Sequence, residues 1–164
     1  MGLRSRTQNR DRSADSRERG TDKFYHGYTD IYEQIFELVR DEAFRILEVG
    51  VGGYKDPAAG GESARMWRQY FKNATITAID LYDKRSHEED RIRIYQGSQD
   101  DQEFLEKVNT ESGPFDIIID DGSHINQHVR SSFRFLFPLL SQGGTYIIED
   151  LAYSYLSEIW RRWR

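Results

Sequence analysis

Apolar residues recur along this chain with two different periods, and the switching between them sets the expected fold. Tyr28, Ile31, Tyr32, Ile35, Phe36, Leu38 and Val39 fall at helical spacing, which predicts an amphipathic helix over about 29–40. Five short β-rich runs follow: Arg45–Val51, Ile76–Asp80, Ile92–Gln96, Phe115–Asp120 and Thr145–Glu149. Most are apolar throughout instead of alternating, as strands buried on both faces of a parallel sheet should be. Helical patterns separate them. Ser63–Phe71 puts Ala64, Trp67 and Phe71 on one face, with Ser63 as the expected N-cap. Asp100–Val108 reads as another helix, and Asn126–Leu140 as a third with Val129, Phe133, Leu136 and Leu140 inward. Strand–helix alternation of this kind predicts βαβ units in an α/β, doubly wound, Rossmann-like and mostly parallel sheet.

Charge changes the picture at the N-terminus. Residues 1–23 hold seven Lys/Arg against four Asp/Glu, a net of +3, whereas the whole chain of 164 residues carries −5. Before Phe24 the only large aliphatic side chains are Met1 and Leu3. Such a segment cannot bury enough apolar surface to offset its ordering entropy, so residues 1–20 are expected to be a disordered tail, with one domain over 21–164. Acids interrupt its arginines and the body is acidic, so a solvated tail is preferred to a nucleic-acid arm, and no nucleic-acid partner is expected. The chain has no cysteine, which excludes disulfides, thiolate-held metals and a cysteine nucleophile. No apolar run reaches the roughly 18 residues of a membrane span, and the charged N-terminus has no secretory apolar stretch. No membrane partner and a cytoplasmic location are therefore expected.

In open α/β sheets, ligands bind beyond the carboxyl ends of the strands, so the candidate chemistry is sought there. The first strand runs into Glu48-Val49-Gly50-Val51-Gly52-Gly53. Glycines there allow close backbone approach to a ligand, or serve only a tight strand–helix turn. The third glycine of a dinucleotide fingerprint would stand where this chain has Lys55, which disfavours a nicotinamide oxidoreductase. Asp80 ends the second strand and can accept from a ribose diol or cap the next segment. Ser98 and Gln99 follow the third strand, where an adenine edge would lie; a turn with a helix cap is the other reading.

The fourth strand ends Ile117-Ile118-Ile119-Asp120-Asp121-Gly122-Ser123-His124, and the fifth ends Ile147-Ile148-Glu149-Asp150. A doubly wound sheet makes these ends neighbours. Asp121, Glu149 and Asp150 are thus candidates to converge as hard oxygen ligands for Mg²⁺ or a similar ion; the alternative is that some face solvent or cap helices. Unpaired carboxylates brought together would repel, which itself argues for a cation. His124 is a candidate general base, suited to take a proton from an alcohol. His128 stands four residues on, but no acid lies between the two in the zinc-protease arrangement.

These residues resemble class I S-adenosylmethionine-dependent methyltransferases, and among them the macrolide sugar O-methyltransferases of the mycinamicin and tylosin type. The resemblance runs through Arg45–Gly53, Gly60–Trp67, Asp80, Asp120–Gln127 and Thr145–Leu151, and begins at Thr21-Asp22-Lys23 with His26-Gly27-Tyr28-Thr29. It implies methyl transfer from S-adenosylmethionine to a hydroxyl, on a sugar or other natural-product scaffold. Glu48, Gly50 and Gly52 would face the methionine part of the cofactor and Asp80 the ribose. Ser98, Gln99 and Asp120 would complete the cofactor-binding set, although many relatives have Asp where Ser98 stands. Asp121, Glu149 and Asp150 would hold Mg²⁺, and His124 would be the base. The partner implied is a hydroxylated, glycosylated small molecule, and the resemblance leaves room for a homo-oligomer.

The resemblance also implies two further strands, where this chain has only Leu151–Arg164, with Leu151, Tyr155 and Ile159 at helical spacing. A sheet lacking its last two strands is therefore expected. A catalytically incomplete cofactor-binding remnant, or a subunit completed by a partner, is the competing reading to an active enzyme.

Overall fold

The computed structural model describes Lys23 and residues 27–151. The expected tail over 1–20 and a terminal helix beyond Leu151 lie outside the described residues. Five strands form one parallel sheet: β1 (Arg45–Val49), β2 (Thr75–Asp80), β3 (Ile92–Gln96), β4 (Ile117–Asp120) and β5 (Thr145–Ile148), in the order β3-β2-β1-β4-β5. The chain winds one way from β1 to β3 and the other way from β4 to β5. That reversal leaves a crevice between the carboxyl ends of β1 and β4, the usual ligand position of such sheets.

Among the described residues, four α-helices cover the sheet: α1 (Tyr28–Phe36), α2 (Glu62–Tyr70), α3 (Gln102–Ser112) and α4 (Asn126–Leu136). Side chains alternate across a strand, so each strand feeds two cores. On one face Ile46, Ile76, Ile117 and Ile119 pack with Tyr32 and Phe36 of α1, Trp67 of α2 and Phe71. On the other, Leu47, Val49, Ile79 and Ile118 pack with Leu105 and Val108 of α3 and Leu136 of α4. The same alternation turns Glu48 toward the first face and Asp120 toward the second. Among the described residues no helix is long and apolar enough to cross a membrane.

Several local expectations are corrected. Ser63 is not the N-cap of α2: that position is Gly61 in a left-handed conformation, and the Ser63 hydroxyl donates to Glu48 instead. The first helix stops at Phe36, because Val39 and Glu42 donate to carbonyls three residues back and Leu38 is 95% exposed, with no sheet to cover. The helix from Asn126 ends at Leu136 and tightens into a single 3₁₀ turn, Phe137–Leu139; Pro138 has no N–H to continue the ladder. Phe133 is 36% exposed where an inward position was expected, stacking on Phe137 and edge-on to Tyr146. Asp101, one residue after the expected start, caps α3 by accepting from the Phe104 N–H.

Candidate active site

The glycine turn after β1 lies at the crevice. Gly50 has φ +96°, and a Cβ there would come within 2.3 Å of the Asp121 carbonyl oxygen. Only glycine therefore lets the β1 and β4 loops touch. The Asp121 N–H donates to the Val49 carbonyl at 2.9 Å, which locks the two loops together. Asp80 accepts the N–H groups of Val51 and Tyr82 at 2.9 and 2.8 Å, one on each oxygen. An ionised carboxylate has about four lone-pair sites, so about two remain for a diol.

Glu48 is fully buried. Its Oε1 accepts from the Ser63 hydroxyl and the Trp67 indole N–H, whereas Oε2 is buried without a hydrogen-bond partner. Burial pushes its pKa up to about 7, against the pull of the Lys23 charge and the Ser63 hydrogen bond. An orphaned buried oxygen beside a glycine turn fits the ammonium of a methionine moiety.

Beyond β4 and β5, Asp121 and Glu149 share the Lys23 ammonium, whereas Asp150 pairs with Tyr28. Asp121, His124 and Asp150 each offer one ligand atom, all within 4.8 Å of one another. His124 Nε2 lies 3.8 Å from Asp121 Oδ1. Both His124 and Asp150 hold positive φ, at 53° and 54°. Such conformations cost free energy in non-glycine residues and cluster at functional sites. Asp150 is fixed by Tyr28, whose hydroxyl donates to Oδ1 at 2.8 Å and accepts the Asp150 N–H at 3.0 Å.

Glu149 is drawn aside from that trio. Both its oxygens accept from the Lys23 ammonium at 2.8 Å, and Oε1 also accepts from the Tyr32 hydroxyl. Three of about four lone-pair sites are thus taken, leaving one on Oε2. Lys23 also donates to Asp121 Oδ2 at 2.8 Å and stands 3.9 Å from Glu48. Burial opposes its charge, but three carboxylates override burial and raise its pKa above the ordinary lysine value. Burial raises the Glu149 pKa, with Lys23 opposing.

Asp120 and Gln99 lie on the second face of the sheet. Asp120 accepts from Ser132, Tyr146 and Gln99, and the Gln99 carbonyl accepts the Ser123 N–H at 2.7 Å. Burial raises the Asp120 pKa. These two side chains thus brace the β4 loop from behind. Ser98 donates to Asp100 at the exposed rim. The structure therefore brings Glu48, Gly50, Gly52, Asp80, Asp121, His124 and Asp150 around one crevice, with Glu149 adjoining.

Sequence reasoning gave no role to Lys23, Tyr28, Tyr32 or Lys84. The two tyrosines are spaced i, i+4 and read simply as apolar positions. Their hydroxyls matter because that helix face meets the acid pairs. Lys84 is buried and donates to the carbonyls of Asp56 and Ala59, which holds the loop after the glycine turn.

A family model described as "Methyltransferase domain" matches residues 58–151. The chain belongs to this methyltransferase-domain family. Among its relatives, the 8-demethyl-8-(2-methoxy-alpha-L-rhamnosyl)-tetracenomycin-C 3'-O-methyltransferase of Streptomyces olivaceus is 49% identical over 131 residues, 80% of this chain and 34% of that protein. Mycinamicin VI 2''-O-methyltransferase of Micromonospora griseorubida is 50% identical over 132 residues, 80% of this chain and 33% of that one. A solved structure of the MycE methyltransferase from the mycinamycin biosynthetic pathway, in complex with Mg and SAH, superposes with a TM-score of 0.84 at 48% identity, over 88% of this chain and 38% of that one. The chain spans about a third of the length of the curated relatives it matches.

Proposed function

We propose that this methyltransferase-family chain is the cofactor- and metal-binding part of an S-adenosylmethionine-dependent, Mg²⁺-assisted O-methyltransferase. Its acceptor is a hydroxyl on the sugar of a natural-product glycoside. The observation that carries the reading is the crevice itself. One wall has the orphaned Glu48 oxygen, the glycine turn and Asp80; the other has Asp121, His124 and Asp150 within 4.8 Å of one another. Glu48 and Asp80 fit a cofactor ammonium and a ribose diol, Asp121 and Asp150 fit a hard cation with His124 beside them as the base, and the relatives' names supply the substrate class.

When bound, S-adenosylmethionine supplies an electrophilic methyl group, and Mg²⁺ supplies positive charge that makes a nearby hydroxyl more acidic. Glu48 Oε2 would pair with the cofactor ammonium, and the Gly50 and Gly52 backbone would face the methionine part. Asp80 takes the ribose hydroxyls with its two spare lone pairs. Ser98 stands at the adenine rim, while Gln99 and Asp120 act through the loop they brace. Asp121 and Asp150, with Glu149 adjoining, would hold the cation. His124 accepts the proton of the acceptor hydroxyl, its ring aimed by the left-handed backbone. Positioning of the acceptor hydroxyl against the cofactor by these residues would then contribute most to the rate.

The test is turnover with S-adenosylmethionine, Mg²⁺ and a panel of rhamnosylated and related glycosides. S-adenosylhomocysteine should form, and His124→Ala should lower turnover by about 10²–10⁴-fold with cofactor affinity unchanged. A chain that binds the cofactor but transfers nothing to any glycoside supports the second reading, a cofactor-binding portion completed by further residues or a partner.

A further inference from the structure

Lys23 is the one buried cation among the acidic groups of the crevice, and the proposed reaction gives it no task. Its side chain is 1% exposed. Leaving an ammonium there is worthwhile only if the carboxylates around it need it. It touches Asp121 through Oδ2 alone, and Asp121 Oδ1 is the oxygen that faces His124. It spans both oxygens of Glu149, and Tyr32 takes a further site on Oε1. The ammonium thus leaves Oδ1 of Asp121 turned toward His124 and holds Glu149 outside the trio of Asp121, His124 and Asp150. Tyr28 does the corresponding work on Asp150.

We propose that Lys23 is a positioning residue for the divalent-cation site, holding Asp121 by Oδ2 so that Oδ1 stays turned toward the trio it forms with His124 and Asp150. The inference rests on the metal-assisted reading above. Its physical content is that a neighbouring positive charge, which by Coulomb's law alone would repel a metal ion, strengthens metal binding here because it orders the ligands. Partners that orient the ligands commonly carry this weight: losing one costs about 10–100-fold in metal affinity. Lys23 also lies outside residues 58–151, the span of the family model.

The chain lacks cysteine, so Lys23→Cys introduces its single thiol. Alkylation of that thiol with 2-bromoethylamine before folding rebuilds an ammonium on a side chain of nearly lysine length, with bromide as the leaving group. Mn²⁺ is the probe, read by electron paramagnetic resonance on the full chain. Lys23→Cys should bind Mn²⁺ about 10–100-fold more weakly than wild type and change the line shape at saturation, and aminoethylation should restore both. Lys23→Gln, which keeps a donor but not the charge, should show the same loss and carries the test where the cysteine variant does not fold. Unchanged Mn²⁺ affinity in the variants overturns the inference, and tighter binding overturns it by marking Lys23 as a competing cation. Wild-type protein that binds no Mn²⁺ overturns it together with the metal part of the proposed function. Mn²⁺ binding that depends on Lys23, in protein that neither binds S-adenosylmethionine nor transfers a methyl group, supports the inference and refutes only the methyltransferase reading.

Discussion

Glu48 shows how one buried carboxylate can link the fold to ligand binding. Its neighbours satisfy Oε1 and leave Oε2 alone, and burial lifts its pKa from 4.5 to about 7. The sign of the consequence follows directly. Below pH 4.5 both folded and unfolded chains hold the proton, so the favourable contribution of the neutral acid is fully present. As pH rises toward and past 7 the unfolded chain has already lost its proton while the folded chain resists, and that contribution disappears. For one group the change is on the order of 3 kcal/mol. Urea denaturation at pH 5.5 and pH 8 should show the unliganded chain losing stability as pH rises, with a smaller loss in Glu48→Gln. The same slope in both would assign the effect to other groups. Affinity for S-adenosylmethionine should move the opposite way in wild type, rising with pH, if the cofactor ammonium pairs with the Glu48 anion as proposed.

At the scale of elements, the site depends on loops held by contacts that are distant in sequence. The segment after the glycine turn has few apolar residues of its own. It is fastened by buried Lys84, which donates to the carbonyls of Asp56 and Ala59, and by Ser86 and His87, which meet the Pro57 carbonyl at 2.8 and 3.0 Å. Lys84→Met keeps the apolar stem but removes the donors. It should cost about 1–3 kcal/mol in denaturation and weaken cofactor binding, with hydrogen exchange rising over residues 53–61. Unaltered exchange there would show that the glycine turn holds its shape alone. This fastening also marks where sequence reading stops. Period and strand-end chemistry made the five strands, their parallel arrangement and the crevice legible, because burial on two faces writes apolar runs directly into the sequence. Lys84 was illegible because its partners are backbone carbonyls, which leave no trace in side-chain pattern. Ser63 was misread as a cap for a related reason: spacing cannot tell a hydroxyl that turns back to its own helix from one that reaches across to Glu48.

Over the whole molecule, the acidic pairs tie two parts of the chain that sequence keeps apart. Asp121, Glu149 and Asp150 come from the ends of β4 and β5, whereas Lys23, Tyr28 and Tyr32 come from α1 and the segment before it, 98 to 126 residues away. Tyr32 also reaches the core, edge-on to Trp67 at 4.7 Å, and Trp67 in turn donates to Glu48. The proposed cation site, the proposed cofactor wall and the first helix therefore share one polar network above one apolar cluster. Any opening that lifts α1 off the sheet must also release Asp150 and Glu149 from their phenols. A ligand held by those carboxylates stabilises the docked helix by mass action, about 2.7 kcal/mol at a hundredfold excess over Kd. Saturating Mg²⁺ should consequently slow amide exchange in Tyr28–Phe36 as well as in the loops carrying the ligands, by up to about 100-fold for openings that expel the ion. Gln102–Ser112, which packs on the opposite face of the sheet and touches none of these groups, should change far less. Protection confined to residues 120–125 and 149–151 would mean that the helix only borders the site. Protection reaching α1 would mean that cation binding and docking of the N-terminal helix are one equilibrium, as the hydrogen bonds from Tyr28 and Tyr32 require.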